Sequence, residues 1–211
     1  MILYTYPGAP NPRRLEIFMR EKGIELNVQH IDLRKGENKS PAFLAINPNG
    51  TVPVLVLDSG TVLTEVIEII SYLEELHPNP PLLGQTAEER AQVLGWDHRC
   101  YCEGLEAIAE VMRNENPAFK NRALPGPVAH TQIPELIVRG RKRTTQFFEV
   151  LEKHLSKRDF MVGDKLTLAD IDAYVIAEFA GWIKHDVAEQ NVNLQLWLGS
   201  MYRREAFRKP E

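Results

Sequence analysis

The residues with chemistry to offer fall in a few short segments of this 211-residue chain. Pro7-Gly8-Ala9-Pro10-Asn11-Pro12 follows an apolar opening and leads into a helical pattern. Asn11 reads as an N-cap, with Pro12 at the first helical position. Its amide can also donate a hydrogen bond to an anion, and the helix start adds positive potential. Tyr4 and Tyr6, just before, carry hydroxyls but read first as packing residues on a strand. Val52-Pro53, inside NPNGTVP, leaves two readings of equal weight on residues alone: a cis proline with a job, or a trans proline opening an edge strand. Thr64-Glu65-Val66 opens another helix, where unpaired N–H groups and the dipole favour an anion. Glu65 also reads as a first-turn acid supporting its own helix.

Other reactive side chains point to bland roles. Cys100 and Cys102 sit two apart on helix-like sequence, facing about 200° away from each other, so they read as separate reduced thiols. The six histidines show no metal-ligand spacing beside Cys or carboxylates, and no Gly-rich phosphate loop is present. Arg139-Gly140-Arg141-Lys142-Arg143 reads as a solvated basic face. Net charge is −4, without the basic bias of a general nucleic-acid binder. No apolar run approaches the roughly 18–20 residues that span a bilayer. The opening MILYTYPGAPNPRR lacks a basic stretch before an apolar one, so no secretory signal is expected. These features lead us to expect a soluble cytoplasmic protein with no metal, no nucleic acid and no membrane.

Stepping along the chain gives the elements that must hold these groups. Residues 1–6 read as a strand, Asn11 to Gly23 as a helix, 26–33 as a strand and 41–46 as a short helix capped by Ser40. Val54–Leu57 and Thr61–Leu63 form a hairpin about Asp58-Ser59-Gly60. Thr64 caps a helix to Leu76 with Val66, Ile69, Ile70, Leu73 and Leu76 as its apolar stripe. The order is βαβαββα, a small mixed sheet with helices on it. HPNPPLLG then makes a stiff linker, after which everything reads as helix. One long helix runs from Thr86 to about Arg113 and another from about Thr131 to Leu155, with Gly140 an oddity inside it. Thr167-Leu-Ala-Asp170 is a capping box, and a last helix covers about Leu194–Arg204. The expected domains are 1–77, a linker at 78–85, and 86–211.

Four pieces resemble the glutathione transferase family: the opening strand, Pro-rich loop and RRLEIFMREKGIEL; NPNGTVPVL; LTEVIEIISYLEE; and VGDKLTLADIDAY. The resemblance runs over nearly the whole chain. It implies a thioredoxin-like first domain and an all-helical second, with glutathione as substrate. Val52-Pro53 matches the family's cis proline, so the backbone of Val52 would pair with the cysteinyl backbone of glutathione. Glu65 matches the acidic residue that meets the ligand's ammonium. The next position usually holds Ser, and Val66 removes a hydroxyl from the carboxylate site. Relatives activate the thiol with Tyr, Ser or Cys. Here Ala9 stands at the Ser position and Asn11 at the Cys position. Ala-Pro-Asn resembles the loop of nu-class relatives, whose Asn contacts the sulfur, so Asn11 is the expected thiol contact. Lys39 and Asn38 are candidates for the glycine carboxylate, and Ile108 and Met112 for the pocket of a small hydrophobic electrophile. The resemblance further implies a homodimer. It leaves two functions open: an enzyme that adds glutathione to an electrophile or reduces a disulfide or peroxide, and a non-catalytic binding or assembly module.

Overall fold

The computed structural model describes residues 1–187 and 191–209. The chain divides into two compact units, one of residues 1–80 with 124–129, the other of 81–123 with 130–209 among the described residues.

In the first unit the strands are β1 (Ile2–Thr5), β2 (Asn27–His30), β3 (Val54–Val56) and β4 (Val62–Leu63). The sheet order is β2-β1-β3-β4, with β1 parallel to β2 and antiparallel to β3, and β3 antiparallel to β4. The parallel pair needs a crossover, which is helix α1 (Pro10–Lys22), whereas the antiparallel pair closes through the tight turn at Gly60. Helices α2 (Pro41–Leu44) and α3 (Val66–Leu76) complete the βαβαββα order. Leu15, Ile17 and Phe18 of α1 and Ile69, Ile70 and Leu73 of α3 are buried with Leu3, Val54 and Leu55 of the sheet. Leu76, expected in the same stripe, is 49% exposed and lies past the end of the packed face.

Two helix starts differ from expectation. The cap of α1 is Ala9, in extended geometry, and Asn11 is the second helical residue. Pro10 and Pro12 both have the φ a helix needs and no N–H to satisfy, so the helix starts earlier without a side-chain cap. The cap of α3 is Glu65 rather than Thr64. Ser40 does cap α2, accepting the Phe43 N–H at 3.2 Å.

The second unit contains α4 (Ala87–Arg99), α5 (Glu106–Glu115), α6 (Pro134–Leu155), α7 (Leu168–Ala180) and α8 (Val192–Tyr202). Thr86 caps α4 through the Glu89 N–H at 3.1 Å. The long helix expected to follow is interrupted by a π-helical turn, Cys100–Leu105. Gly104 lies in that turn, where a Cβ would stand 2.7 Å from Phe147 Cε1. Gly140 is explained in the same way: a Cβ there would stand 2.8 Å from the Ala107 carbonyl oxygen, so its absence lets α5 and α6 close up. The basic segment around it is partly exposed, as expected of a solvated face, and is paired with carboxylates as well. Arg139 and Arg143 reach Glu110, and Arg141 bonds Glu115 at 2.8 Å and the Ile183 carbonyl at 3.0 Å. These arginines brace α5 and the turn after α7 onto α6. Thr167 and Asp170 form the expected capping box at α7, and Asp170 is fully buried.

Candidate functional site

Strand register brings the candidate residues of the first unit to one end of the sheet. Val54 stands opposite Tyr4, so Val52, two residues earlier, lies beyond the point where β1 ends and the loop to Asn11 begins. Leu63 stands opposite Leu55, so Glu65 and Val66 leave β4 at that same end. Thr5 pairs with His30, which places the segment leading to Asn38 and Lys39 there as well.

The Val52–Pro53 bond is cis, the first of the two readings left open by the residues. A second cis bond, Asn79–Pro80, was not anticipated. Among the described residues, neither the N–H nor the C=O of Val52 makes a hydrogen bond. The turn before it is held by Asn47, a residue that sequence reasoning passed over. Asn47 is 1% exposed; its amide donates to the Thr51 carbonyl and hydroxyl at 3.0 Å, and its oxygen accepts the Asn49 N–H at 3.1 Å. The signal was the turn cluster NPNG itself, which needs an internal Asn to close.

Asn38 also serves that turn. Its Nδ2 donates to the Gly50 carbonyl at 2.7 Å, which uses one of its two N–H groups in the loop. Lys39 is exposed, a cation available to an anion.

At α3 the Glu65 carboxylate accepts the Glu68 N–H, while Glu68 Oε2 accepts the N–H groups of Thr64 and Glu65, both at 3.1 Å. This reciprocal box was legible as Glu three residues after Glu, but was not read. It leaves the N–H groups of Val66 and Ile67 unpaired among the described residues, pointing from a helix start toward any anion. Val66 itself is 5% exposed, so its side chain belongs to the core while its N–H faces outward from the helix start.

At α1, Pro10 and Pro12 carry no N–H, and the N–H of Asn11 is the single donor of the first three helical positions. It has no partner among the described residues. Asn11 Oδ1 accepts from Arg14 Nη1 at 3.1 Å. Tyr4 packs edge-on against Phe43, with ring centroids 6.0 Å apart, the packing role expected of it.

In the second unit Ile108 has no exposed surface and belongs to the helical core, which corrects its placement in a ligand pocket; Met112 is half-buried and has surface to offer. No cluster of three or more His, Cys, Asp or Glu among the described residues could hold a metal ion, and no helix among them is long and apolar enough to cross a membrane.

One sheet end thus presents an unpaired backbone edge beside a cis proline, two helix starts with free donors, an acidic cap and an exposed lysine. That is a thioredoxin-like domain equipped to hold a short peptide with charged ends. The family model for the glutathione S-transferase N-terminal domain matches residues 9–76, and that for the C-terminal domain matches 118–205. The chain is 33% identical to glutathione S-transferase 2 of Saccharomyces cerevisiae, over 99% of this chain and 88% of that protein. It is 32% identical to human glutathione S-transferase theta-2, over 92% and 76%. The crystal structure of Gtt2 from Saccharomyces cerevisiae superposes with a TM-score of 0.88 at 31% identity, covering 98% of both chains. The chain belongs to the glutathione S-transferase family.

Proposed function

We propose that the protein binds glutathione at this sheet end, stabilises its thiolate and transfers it to an electrophile. The observation that carries this reading is the unpaired Val52 edge lying at the same sheet end as the donors of Asn11. The Val52 N–H and C=O pair with the cysteinyl residue as an added strand would. The N–H groups of Val66 and Ile67 take the γ-glutamyl carboxylate, the Glu65 carboxylate meets the ammonium, and Lys39 meets the glycine carboxylate. Asn11 donates to the sulfur. Thiolate stabilisation by hydrogen bonding and a helix start does the work of activation, since a free thiol titrates above neutrality. The sulfur lone pair then forms the new bond to an electrophilic carbon as the leaving group departs, or attacks a disulfide or peroxide, breaking its S–S or O–O bond with departure of a thiolate or of hydroxide or alkoxide, and the sulfur is itself oxidised. Residues 1–77 form the glutathione domain, 78–85 the linker and 86–211 the helical domain, with Met112 at the electrophile side. The working form is a cytoplasmic homodimer.

The test is thermal stability with millimolar reduced glutathione and with S-methyl glutathione. A ligand at roughly 100 times its dissociation constant adds about 2.7 kcal/mol, a shift of several degrees. No shift with either ligand removes the proposal. Turnover of wild type beside Asn11→Ala then separates the enzyme from a second reading, a non-catalytic binding module. That reading is favoured by Ala9 and Val66, neither of which supplies a hydroxyl to the ligand. Ligand binding without turnover across thiol and electrophile assays would select it.

A further inference from the structure

Arg14 is 5% exposed, on the same helix as Asn11, and its Nη1 donates to Asn11 Oδ1 at 3.1 Å. A guanidinium has donors and no acceptor. The edge of the amide that meets Arg14 must therefore be the oxygen, which turns Nδ2 to the opposite side. Nδ2 has no partner among the described residues. An unaided asparagine amide has two flip states of similar shape, one presenting a donor and the other an acceptor. An acceptor facing a thiolate would repel it. The buried Arg14 removes that state.

We infer that Arg14 is a positioning residue for thiol activation: it holds the Asn11 amide with its donor edge toward the glutathione sulfur. This rests on the assignment of Asn11 as the sulfur contact. Arg14 does not itself touch the ligand in this account. Its effect passes through the flip state of one amide, so it vanishes when that amide is absent. The pairing also explains how an amide can stand at the position matching the relatives' Cys. A thiol rotates to suit its partner, whereas an amide must be oriented by something else.

The experiment is an ultraviolet titration of the thiolate of glutathione bound to wild type, Asn11→Ala, Arg14→Gln, Arg14→Lys and the double variant Asn11→Ala/Arg14→Gln. Glutamine carries both a donor and an acceptor and no longer dictates the flip; lysine is donor-only and does. Asn11→Ala and Arg14→Gln should each raise the bound thiol pKa by about one to two units, the size set by a hydrogen bond to a charged group. Arg14→Lys should stay near wild type, and the double variant should rise no further than Asn11→Ala. Arg14→Gln and Arg14→Lys should keep the wild-type affinity for S-methyl glutathione, which a general structural defect would not allow. A rise with Arg14→Gln that adds to that of Asn11→Ala would make Arg14 a direct electrostatic partner of the thiolate and overturn the inference. So would a wild-type value in Arg14→Gln alongside a raised one in Asn11→Ala. No rise in Asn11→Ala would show that the Asn11 assignment itself is wrong, and the Arg14 role would fall with it. Arg14→Met makes the same test if Arg14→Gln does not fold.

Discussion

Lys22 Nζ lies 2.7 Å from Glu74 Oε2, with side-chain exposures of 0% and 7%. The same ammonium donates to the carbonyls of His77 at 2.7 Å and Pro80 at 2.5 Å. The ammonium thereby ties the end of α1 to the end of α3 and to the segment that leaves the first unit. Replacing Lys22 by Met takes this ammonium away from a buried carboxylate. Breaking such a pair costs about 3–5 kcal/mol, whereas replacing both partners by apolar residues costs far less. Urea unfolding should show Lys22→Met strongly destabilised and Lys22→Met/Glu74→Met recovering much of the loss. Equal loss in single and double variants would mean that the carbonyl bonds, not the ion pair, carry the effect.

Gly140→Ala sets two terms of opposite sign against each other. Alanine gains about 1 kcal/mol of helix propensity over glycine. The new methyl meets the Ala107 carbonyl oxygen at 2.8 Å and Val111 Cγ2 at 2.8 Å, and backbone cannot swing aside as a flexible side chain can. Overpacking of this kind costs about 1–3 kcal/mol, so the net change should be a loss, read as a lower denaturation midpoint.

Asp170 gives a pH dependence with a definite sign. Burial raises its pKa from 3.8 to about 6, against the lowering effect of the Met161 and Thr167 N–H groups at 2.8 and 2.9 Å. The folded state therefore holds the proton more tightly than the unfolded one. This contribution is fully present below pH 3.8 and is lost as pH rises to about 6. The loss is about 3 kcal/mol. The stability difference between wild type and Asp170→Asn, followed by urea unfolding against pH, should change across that window and be flat above it. A flat difference across the window would mean that Asp170 titrates at its ordinary value.

Val66→Ser should move affinity and stability in opposite directions. A hydroxyl bond to the ligand carboxylate is worth about 1.5–3 kcal/mol, or roughly tenfold or more in the glutathione dissociation constant. Losing a buried valine side chain costs about 2 kcal/mol of stability. Calorimetric titration and melting of the same variant check both. Unchanged affinity would mean that the free N–H groups of Val66 and Ile67 already satisfy the carboxylate.

Much of the first unit was legible because proline and glycine punctuate it so heavily. Strand, loop, helix and hairpin boundaries all fall at such residues, and the apolar stripe of α3 from Val66 to Leu73 is buried as its spacing requires. The cap of α1 was misread because Asn before Pro is an ordinary cap signal. What decided against it was Pro10, which offers the helix a start two residues sooner. The loop bond of Asn38 was hidden for a different reason: its amide partner, the Gly50 carbonyl, is twelve residues away, and only the closed turn brings them together. Ile108 carried the same apolar signal whether it lined a pocket or filled a core.

By itself the sequence determined the order of elements in the first unit and the two-part organisation, since these depend on local φ preferences and periodicities written into neighbouring residues. Tertiary structure decided which groups were left free. Whether Val52 keeps an unpaired edge depends on where β3 begins to pair with β1. Which partners the basic run of α6 finds depends on Glu110 and Glu115 lying across from it on α5. Which way the Asn11 amide faces depends on a buried arginine one helical turn away. Each of these is settled by the partner a polar group finds in the folded chain, and that partner is a matter of distance in space, which spacing along the sequence does not record.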